Sequence, residues 1–141
     1  MCGISGYVSS ERVTSDRTIR LMTTPLAHRG PDGEGVWVES HVALGNRRLA
    51  VLDLSPRGHQ PMMSHDRRFV MTYNGEVYNY LELKSDLGKS FETGTDTEVV
   101  LEAFSRWGSE SFNRLNGMFA CAIWDRLTER LILVRDRFGV K

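Results

Sequence analysis

Met1-Cys2-Gly3-Ile4-Ser5-Gly6-Tyr7-Val8 begins this chain of 141 residues, and its second residue carries the most chemistry. Met1 precedes a small side chain, the setting in which initiator methionine is commonly trimmed. Trimming makes Cys2 the first residue, with a thiol and a free α-amine on one carbon skeleton. An α-amine titrates at about 7.7–8.0, close to working pH, where a general base is most effective. It can take the thiol proton directly or through one water, so the nucleophile needs no histidine. Gly3 beside it lets a substrate approach the backbone. Two plainer readings stand next to this one. Cys2 is an incidental small apolar residue at the start of a strand, or Met-Cys is an oxidisable degradation signal. The degradation signal needs a flexible terminus, whereas Gly3 to Val8 reads as an ordered strand.

Composition narrows the class. Hydrophobic residues make up 40% of the chain and charged residues 26%, with three Trp, four Tyr and six Phe to bury. That is an ordinary globular composition, and at this length one domain burying roughly two-thirds of its unfolded surface is expected. Lys plus Arg is 18 and Asp plus Glu is 18, so the net charge is zero. A nucleic-acid binder or a protein attached to an anionic membrane surface would carry a basic excess. No apolar run approaches the roughly 20 residues of a membrane span, and Met1 to Arg12 lacks the pattern of a secretory signal. Two cysteines, Cys2 and Cys121, cannot make a disulfide scaffold. With His28, His41, His59 and His65 scattered, no zinc-ligand spacing arises and no metal site is expected. A reduced, cytoplasmic setting is the simplest.

Periodicity supplies the elements. Ser15 to Leu26 reads as a helix with Ser15 as N-cap and Ile19, Met22 and Leu26 on one stripe. His28-Arg29-Gly30-Pro31-Asp32-Gly33 is loop chemistry. Gly35 to Glu39 and His41 to Leu49 form a strand pair, Ser55-Pro56-Arg57-Gly58 a turn, and Arg68 to Tyr73 a long strand. Tyr80 to Leu87 is a short helix. Thr95 to Trp107 is a longer one, with a Thr95/Glu98 capping box and Gly108 as a left-handed C-terminal residue. Met118 to Trp124 and Leu131 to Val134 form a hairpin across Asp125 to Arg130. The first of these strands is apolar on both faces and must be covered on both. The class is α+β, with antiparallel sheets covered by helices. Met22, Met62, Met63, Met71 and Met118 read as packing residues and Cys121 as a buried small hydrophobe.

The Met1 to Gly6 run resembles the start of class II glutamine amidotransferases, a branch of the N-terminal nucleophile hydrolases. Further blocks resemble the glutamine-hydrolysing asparagine synthetases, in that family's order. They are His28-Arg29-Gly30-Pro31-Asp32, Arg48 to Asp53, Gln60-Pro61-Met62, Asn74 to Asn79, Thr95 to Val99, Leu115 to Ala120 and Arg135 to Lys141. The resemblance spans the whole chain. It implies a four-layer αββα sandwich and hydrolysis of glutamine to glutamate and ammonia. It also implies residues 1–141 as an incomplete glutaminase domain, truncated at its C-terminus. The synthetase domain that activates aspartate with ATP and magnesium is absent from this chain, which has no Ser-Gly-Gly-x-Asp-Ser loop. Partners implied are L-glutamine and that synthetase domain, with no nucleic acid and no membrane; a homodimer is compatible with it. The glutaminase half needs no cofactor. Two alternatives are a glutaminase half serving a sugar or other carboxylate acceptor, and a non-catalytic amidotransferase-like interaction domain.

The resemblance assigns roles residue by residue. Cys2 is nucleophile and base. The Asn74 side-chain amide and the Gly75 N–H form the oxyanion hole. Arg48 holds the substrate α-carboxylate, a task suited to a planar bidentate donor. Asp96 meets the α-ammonium with help from Glu76, and the backbone of Leu49 to Leu52, including Val51, lines the glutamine tail. Taken alone, each has a plainer reading. Asn74-Gly75 between Phe69–Tyr73 and Glu76–Tyr80 is a strong hairpin-turn signal. Arg48 is a surface arginine, and Asp96 an acid in a helix first turn. Arg47 and Arg48 point to opposite faces if both lie on a strand, which leaves Arg47 solvated.

Overall fold

The computed structural model describes residues 1–11 and 14–141. Strand β1, Gly3–Val8, pairs antiparallel with β3, Val42–Arg48, whose other edge pairs with β2, Gly33–Glu39. A second antiparallel sheet runs in the order β4 (Met62–Met63), β5 (Phe69–Val77), β6 (Gly117–Asp125), β7 (Arg130–Arg135). Helix α1, Asp16–Thr23, packs on the first sheet. Helix α3, Asp96–Trp107, packs on β5, and α2, Tyr80–Leu87, packs on α3. Strands β1 and β3 face β5 across the middle. The result is the αββα order of layers.

Strand pleating explains the layers. Along β3, Val42 and Leu44 join Val70, Ala122 and Trp124 between the sheets. Ala43 and Gly45 fall on the opposite face. At Gly45 an added Cβ would lie 2.1 Å from the Thr23 hydroxyl of α1, so only glycine admits the helix this closely. Along β5, Phe69, Met71, Tyr73 and Val77 join the helix-side core with Leu101, Ala103 and Ile123. Burying one such large side chain contributes about 1.5–3 kcal/mol. Val70, Thr72, Asn74 and Glu76 alternate to the other face, toward the first sheet. From Met118 to Trp124 strand β6 is apolar because Ile123 serves the helix layer and Ala122 and Trp124 the inter-sheet layer.

The space between the sheets also holds polar groups. Asn46 Nδ2 donates to Gln60 Oε1 and Thr72 Oγ1, both at 3.2 Å, and to the Tyr73 carbonyl at 3.3 Å. Thr72 Oγ1 donates back to the Gly45 carbonyl at 3.0 Å. These bonds tie β3 to β5 beside the site described below.

Several expectations are corrected. Helix α1 ends at Thr23, not Leu26, because Pro25 opens a 3-10 turn over Thr24–His28. Met22 is 40% exposed, and Thr23 takes its place on the buried stripe. Asn74-Gly75 is no turn. Both lie inside the nine-residue β5, opposite Ala120 and Phe119 of β6, so the strand predicted to stop at Tyr73 continues to Val77. Thr95 caps α3 by accepting from the Glu98 N–H at 3.3 Å, but the reciprocal half of the box is missing. The Glu98 carboxylate accepts from Thr93 N at 2.7 Å and Glu92 N at 2.9 Å, and Thr95 N donates to Thr93 Oγ1 at 3.2 Å. Gly108 has φ 59° but ψ −144°, outside the left-handed helical region, and the chain continues into a 3-10 turn and α4, Ser111–Arg114.

Candidate active site

Four segments meet beside β1: the chain start, the end of β3 with the loop after it, the end of β5, and the first turn of α3. They enclose a recess lined by Cys2, Arg48, Leu49, Gly75, Glu76 and Asp96, together with Val51, Leu52, Asp53, Gly58, Gln60, Tyr73, Thr95 and Thr97. A second recess shares Cys2, Leu49, Val51, Gly75 and Glu76 with the first and adds Asn74, Met118, Met1 and Lys141. The two are neighbouring parts of one concavity, with Cys2 and Gly75 on the wall common to both.

Cys2 sits just before β1 and is half-buried. The Leu49 N–H donates to its sulfur at 3.3 Å, and the thiol points back to the Leu49 carbonyl at 3.8 Å. Arg29 Nε donates to the Cys2 carbonyl at 3.3 Å. Asp32, from the same loop as Arg29, accepts from Ala50 N at 2.9 Å. The chain start is therefore held on both sides by loops that the fold places there. With Met1 attached, the Cys2 nitrogen is an amide, and the base expected of it exists only once Met1 is removed. Cys121 is the opposite case: it is buried in β6, and burial pushes its thiol up to about 12, so it is no nucleophile at ordinary pH.

Arg48 ends β3 on the inter-sheet face and reaches the recess. Its Nη1 donates to the Ser55 carbonyl at 2.8 Å and its Nη2 to the Asp53 carbonyl. The guanidinium thus folds the 49–58 loop around itself. Gly58 makes room for it, since an added Cβ would lie 2.3 Å from Nη2. Arg47 points the other way, as alternation predicts, but it is not solvated. Its side chain is mostly buried and pairs with Glu34, its cross-strand neighbour, at 2.7 Å.

Asp96 occupies the first turn of α3 and is almost fully buried. Its Oδ2 accepts from the Tyr73 hydroxyl at 2.7 Å and from Val77 N at 2.9 Å. Burial raises its carboxyl above the usual range, against the pull of these donors. Asn74 lies on the β5 face turned toward the first sheet, with Gly75 next to it. At Gly75 an added Cβ would meet the Met118 carbonyl and Phe119 Cβ, both at 2.6 Å. The strands run too close there for any side chain.

All nine predicted site residues, Cys2, Arg48, Leu49, Val51, Leu52, Asn74, Gly75, Glu76 and Asp96, therefore line the joined recess. The sequence assigns no part in the site to Asp53, Gly58, Gln60, Tyr73 or Thr97, and marks Thr95 only as a helix cap. Asp53, Gln60, Thr95 and Thr97 fall inside blocks that carry the resemblance, which is the available signal. Tyr73 looked like an ordinary strand aromatic. Among the described residues no three His, Cys, Asp or Glu side chains gather as a metal site, and no helix is long and apolar enough to cross a membrane.

The arrangement offers one thiol, a guanidinium and a buried carboxylate lining a common recess. Comparison with known proteins agrees in kind. Residues 1–141 match the glutamine amidotransferase domain family. The whole chain is 39% identical to 31% of the length of a putative glutamine-hydrolysing asparagine synthetase of Methanocaldococcus jannaschii. It is 42% identical to 24% of the length of asparagine synthetase 3 of Bacillus subtilis. The chain thus spans a third or less of these relatives. The fold matches glutamine phosphoribosylpyrophosphate amidotransferase of B. subtilis, solved with ADP and GMP. There the TM-score is 0.76 at 22% identity, covering 98% of this chain and 38% of that one.

Proposed function

The chain belongs to the glutamine amidotransferase domain family, and we propose that its recess hydrolyses glutamine with Cys2 as nucleophile and the freed Cys2 α-amine as base. The observation that carries this reading is the convergence of Cys2, Arg48, Gly75 and Asp96 on one recess from four separate segments. The Cys2 thiol gives its proton to the α-amine, and Sγ attacks the side-chain amide carbon of glutamine. The carbonyl becomes a tetrahedral oxyanion, met by the Asn74 amide and the Gly75 N–H. Collapse expels ammonia, which leaves with the proton returned by the Cys2 α-ammonium. Water, deprotonated by the same amine, then hydrolyses the thioester to glutamate.

Recognition follows from charge. The Arg48 guanidinium, held in plane by two carbonyls, suits a carboxylate bidentately. Asp96 offers a fixed carboxylate to an α-ammonium, and a cationic ligand there offsets the cost of keeping that acid ionised. Glu76 adds negative charge on the same wall. In a longer protein built like these relatives, the ammonia released would be joined to aspartate by an ATP- and magnesium-dependent synthetase domain. The relatives' names, glutamine-hydrolysing asparagine synthetases, support asparagine as the destination of the ammonia.

Intact mass and glutamine turnover test the proposal together. The active protein should lack Met1, and Cys2→Ala should lower glutamate release about 10⁴-fold or more. Turnover surviving in Cys2→Ala, or full activity with Met1 retained, would falsify it.

A further inference from the structure

Asp53 is half-buried at one edge of the recess, and nothing in the proposed chemistry uses it. Its contacts are nevertheless built. Oδ1 accepts from Ser55 N at 2.8 Å, and Oδ2 accepts from Gly94 N, 41 residues away, at 2.9 Å. Its own carbonyl takes Arg48 Nη2, while Ser55 offers its carbonyl to Nη1 at 2.8 Å. Gly94 in turn immediately precedes the Thr95 cap and Asp96. The turn that carries Gly94 is fixed from behind by Glu98, which accepts from Thr93 N at 2.7 Å and Thr93 Oγ1 at 2.7 Å.

Resting on the glutamine reading above, we propose that Asp53 is a positioning residue that sets the distance between the guanidinium and the carboxylate recognising the two ends of the amino acid. The path runs from the Arg48 guanidinium to the Asp53 carbonyl, from the Asp53 carboxylate to Gly94 N, and along the chain through Thr95 to Asp96. The Ser55 bond alone is a local loop turn of the Asx type. The Gly94 bond is different, because it ties the arginine's loop to the element that carries the acid. The contacts to Gly94 and Ser55 also hold the Asp53 carboxyl down at about 2, so both oxygens remain charged acceptors at any working pH. An amino acid is a zwitterion with fixed charge separation, so a site that drifts open loses affinity before it loses chemistry.

The test compares Asp53→Asn and Asp53→Ala with wild type, using glutamine kinetics and two Cys2 labels. One label is 6-diazo-5-oxo-L-norleucine, which presents the amino-acid end of glutamine. The other is iodoacetamide, which presents none. Asp53→Ala should raise KM for glutamine about 10- to 100-fold while kcat stays within about threefold. Labelling by the diazo analogue should slow by a similar factor, and alkylation by iodoacetamide should stay within about twofold. Asp53→Asn keeps one acceptor oxygen and should fall between the two. If Asp53→Ala does not fold, the near-isosteric Asp53→Asn carries the test by itself. An unchanged KM, or iodoacetamide alkylation falling in step with the analogue, overturns the positioning role. Wild-type Cys2 that ignores the analogue overturns the glutamine reading itself, and the role of Asp53 with it.

Discussion

The Tyr73 hydroxyl donates to Asp96 Oδ2 at 2.7 Å, joining the middle of β5 to the first turn of α3 inside the protein. Both residues are nearly inaccessible, Tyr73 at 2% and Asp96 at 6%. Burial pushes the tyrosine hydroxyl well above its ordinary value, and the Asp96 charge adds to that, so Tyr73 stays a donor throughout the useful pH range. The acid is thus kept in a fixed orientation at a place where its charge is costly.

That cost makes Asp96 the site at which function and stability oppose each other. Its carboxyl is raised in the fold, mainly by burial. The stability linked to it is complete below the unfolded value and is lost as pH rises through the folded value. Asp96→Asn should therefore unfold at a higher temperature than wild type at pH 7, and the gap should close toward pH 4. Glutamine hydrolysis should fall about 100-fold or more, since an α-ammonium would lose its only buried counter-charge in the described recess. Thermal melts at the two pH values and glutamate assays check both halves. A variant less stable at pH 7 than at pH 4, relative to wild type, would contradict the account.

Gly58 should be as sensitive as the arginine that it accommodates. A methyl group there would lie 2.3 Å from Arg48 Nη2 and 2.9 Å from Thr95 Cγ2. Gly58→Ala is expected to displace the guanidinium and raise KM for glutamine about tenfold or more, with the melting temperature little changed. Arg48→Lys should do the same, because an ammonium cannot span the Asp53 and Ser55 carbonyls while presenting a planar face to a carboxylate. Equal KM values in wild type and Gly58→Ala would show that the guanidinium is not held there.

Strand contact dominates at Gly75. Its added Cβ would press on the Met118 carbonyl and Phe119 Cβ at 2.6 Å, forcing β5 away from β6. Gly75→Ala should cost about 1–3 kcal/mol and abolish turnover. Asn74→Ala should leave the melting temperature close to wild type but lower kcat about 10²- to 10³-fold, the usual size of one lost oxyanion donor. Denaturant titration with parallel kinetics separates the two variants; a rise in KM alone in Asn74→Ala, with kcat unchanged, would argue against an oxyanion role.

The two cysteines should differ sharply toward reagents. Iodoacetamide at pH 8 is expected to modify Cys2 and spare Cys121, whose thiol burial holds up at about 12. Peptide mapping after brief exposure reads this directly, and prior incubation with glutamine should slow the reaction at Cys2. An adduct found first on Cys121 would be incompatible with the packing of β6.

Much of this site was written in local sequence. Thr95 announced a helix start, and so placed Asp96 in a first turn. Strand alternation put Arg47 and Arg48 on opposite faces. Cys2 beside Gly3 suggested a reactive terminus. Each of these depends on neighbours within a few residues, where periodicity and capping are decisive. Asn74-Gly75 shows the limit. Locally it has the chemistry of a tight turn, yet pairing with Ala120 and Phe119 across 46 and 44 positions of chain holds it extended. Arg47 shows it again, since only the return of β2 supplies Glu34 as its partner.

By itself the amino-acid order marked which residues have the chemistry to react or recognise, and where most strands and helices lie, because those properties belong to side-chain chemistry and short-range periodicity. Tertiary structure alone decided that Leu49 cradles the Cys2 sulfur, that Asp53 reaches Gly94, and that Tyr73 steadies Asp96. Those contacts join segments 23 to 47 residues apart. No local preference encodes them; they exist because two sheets stacked face to face, with α3 packed on β5, bring separate elements to one edge.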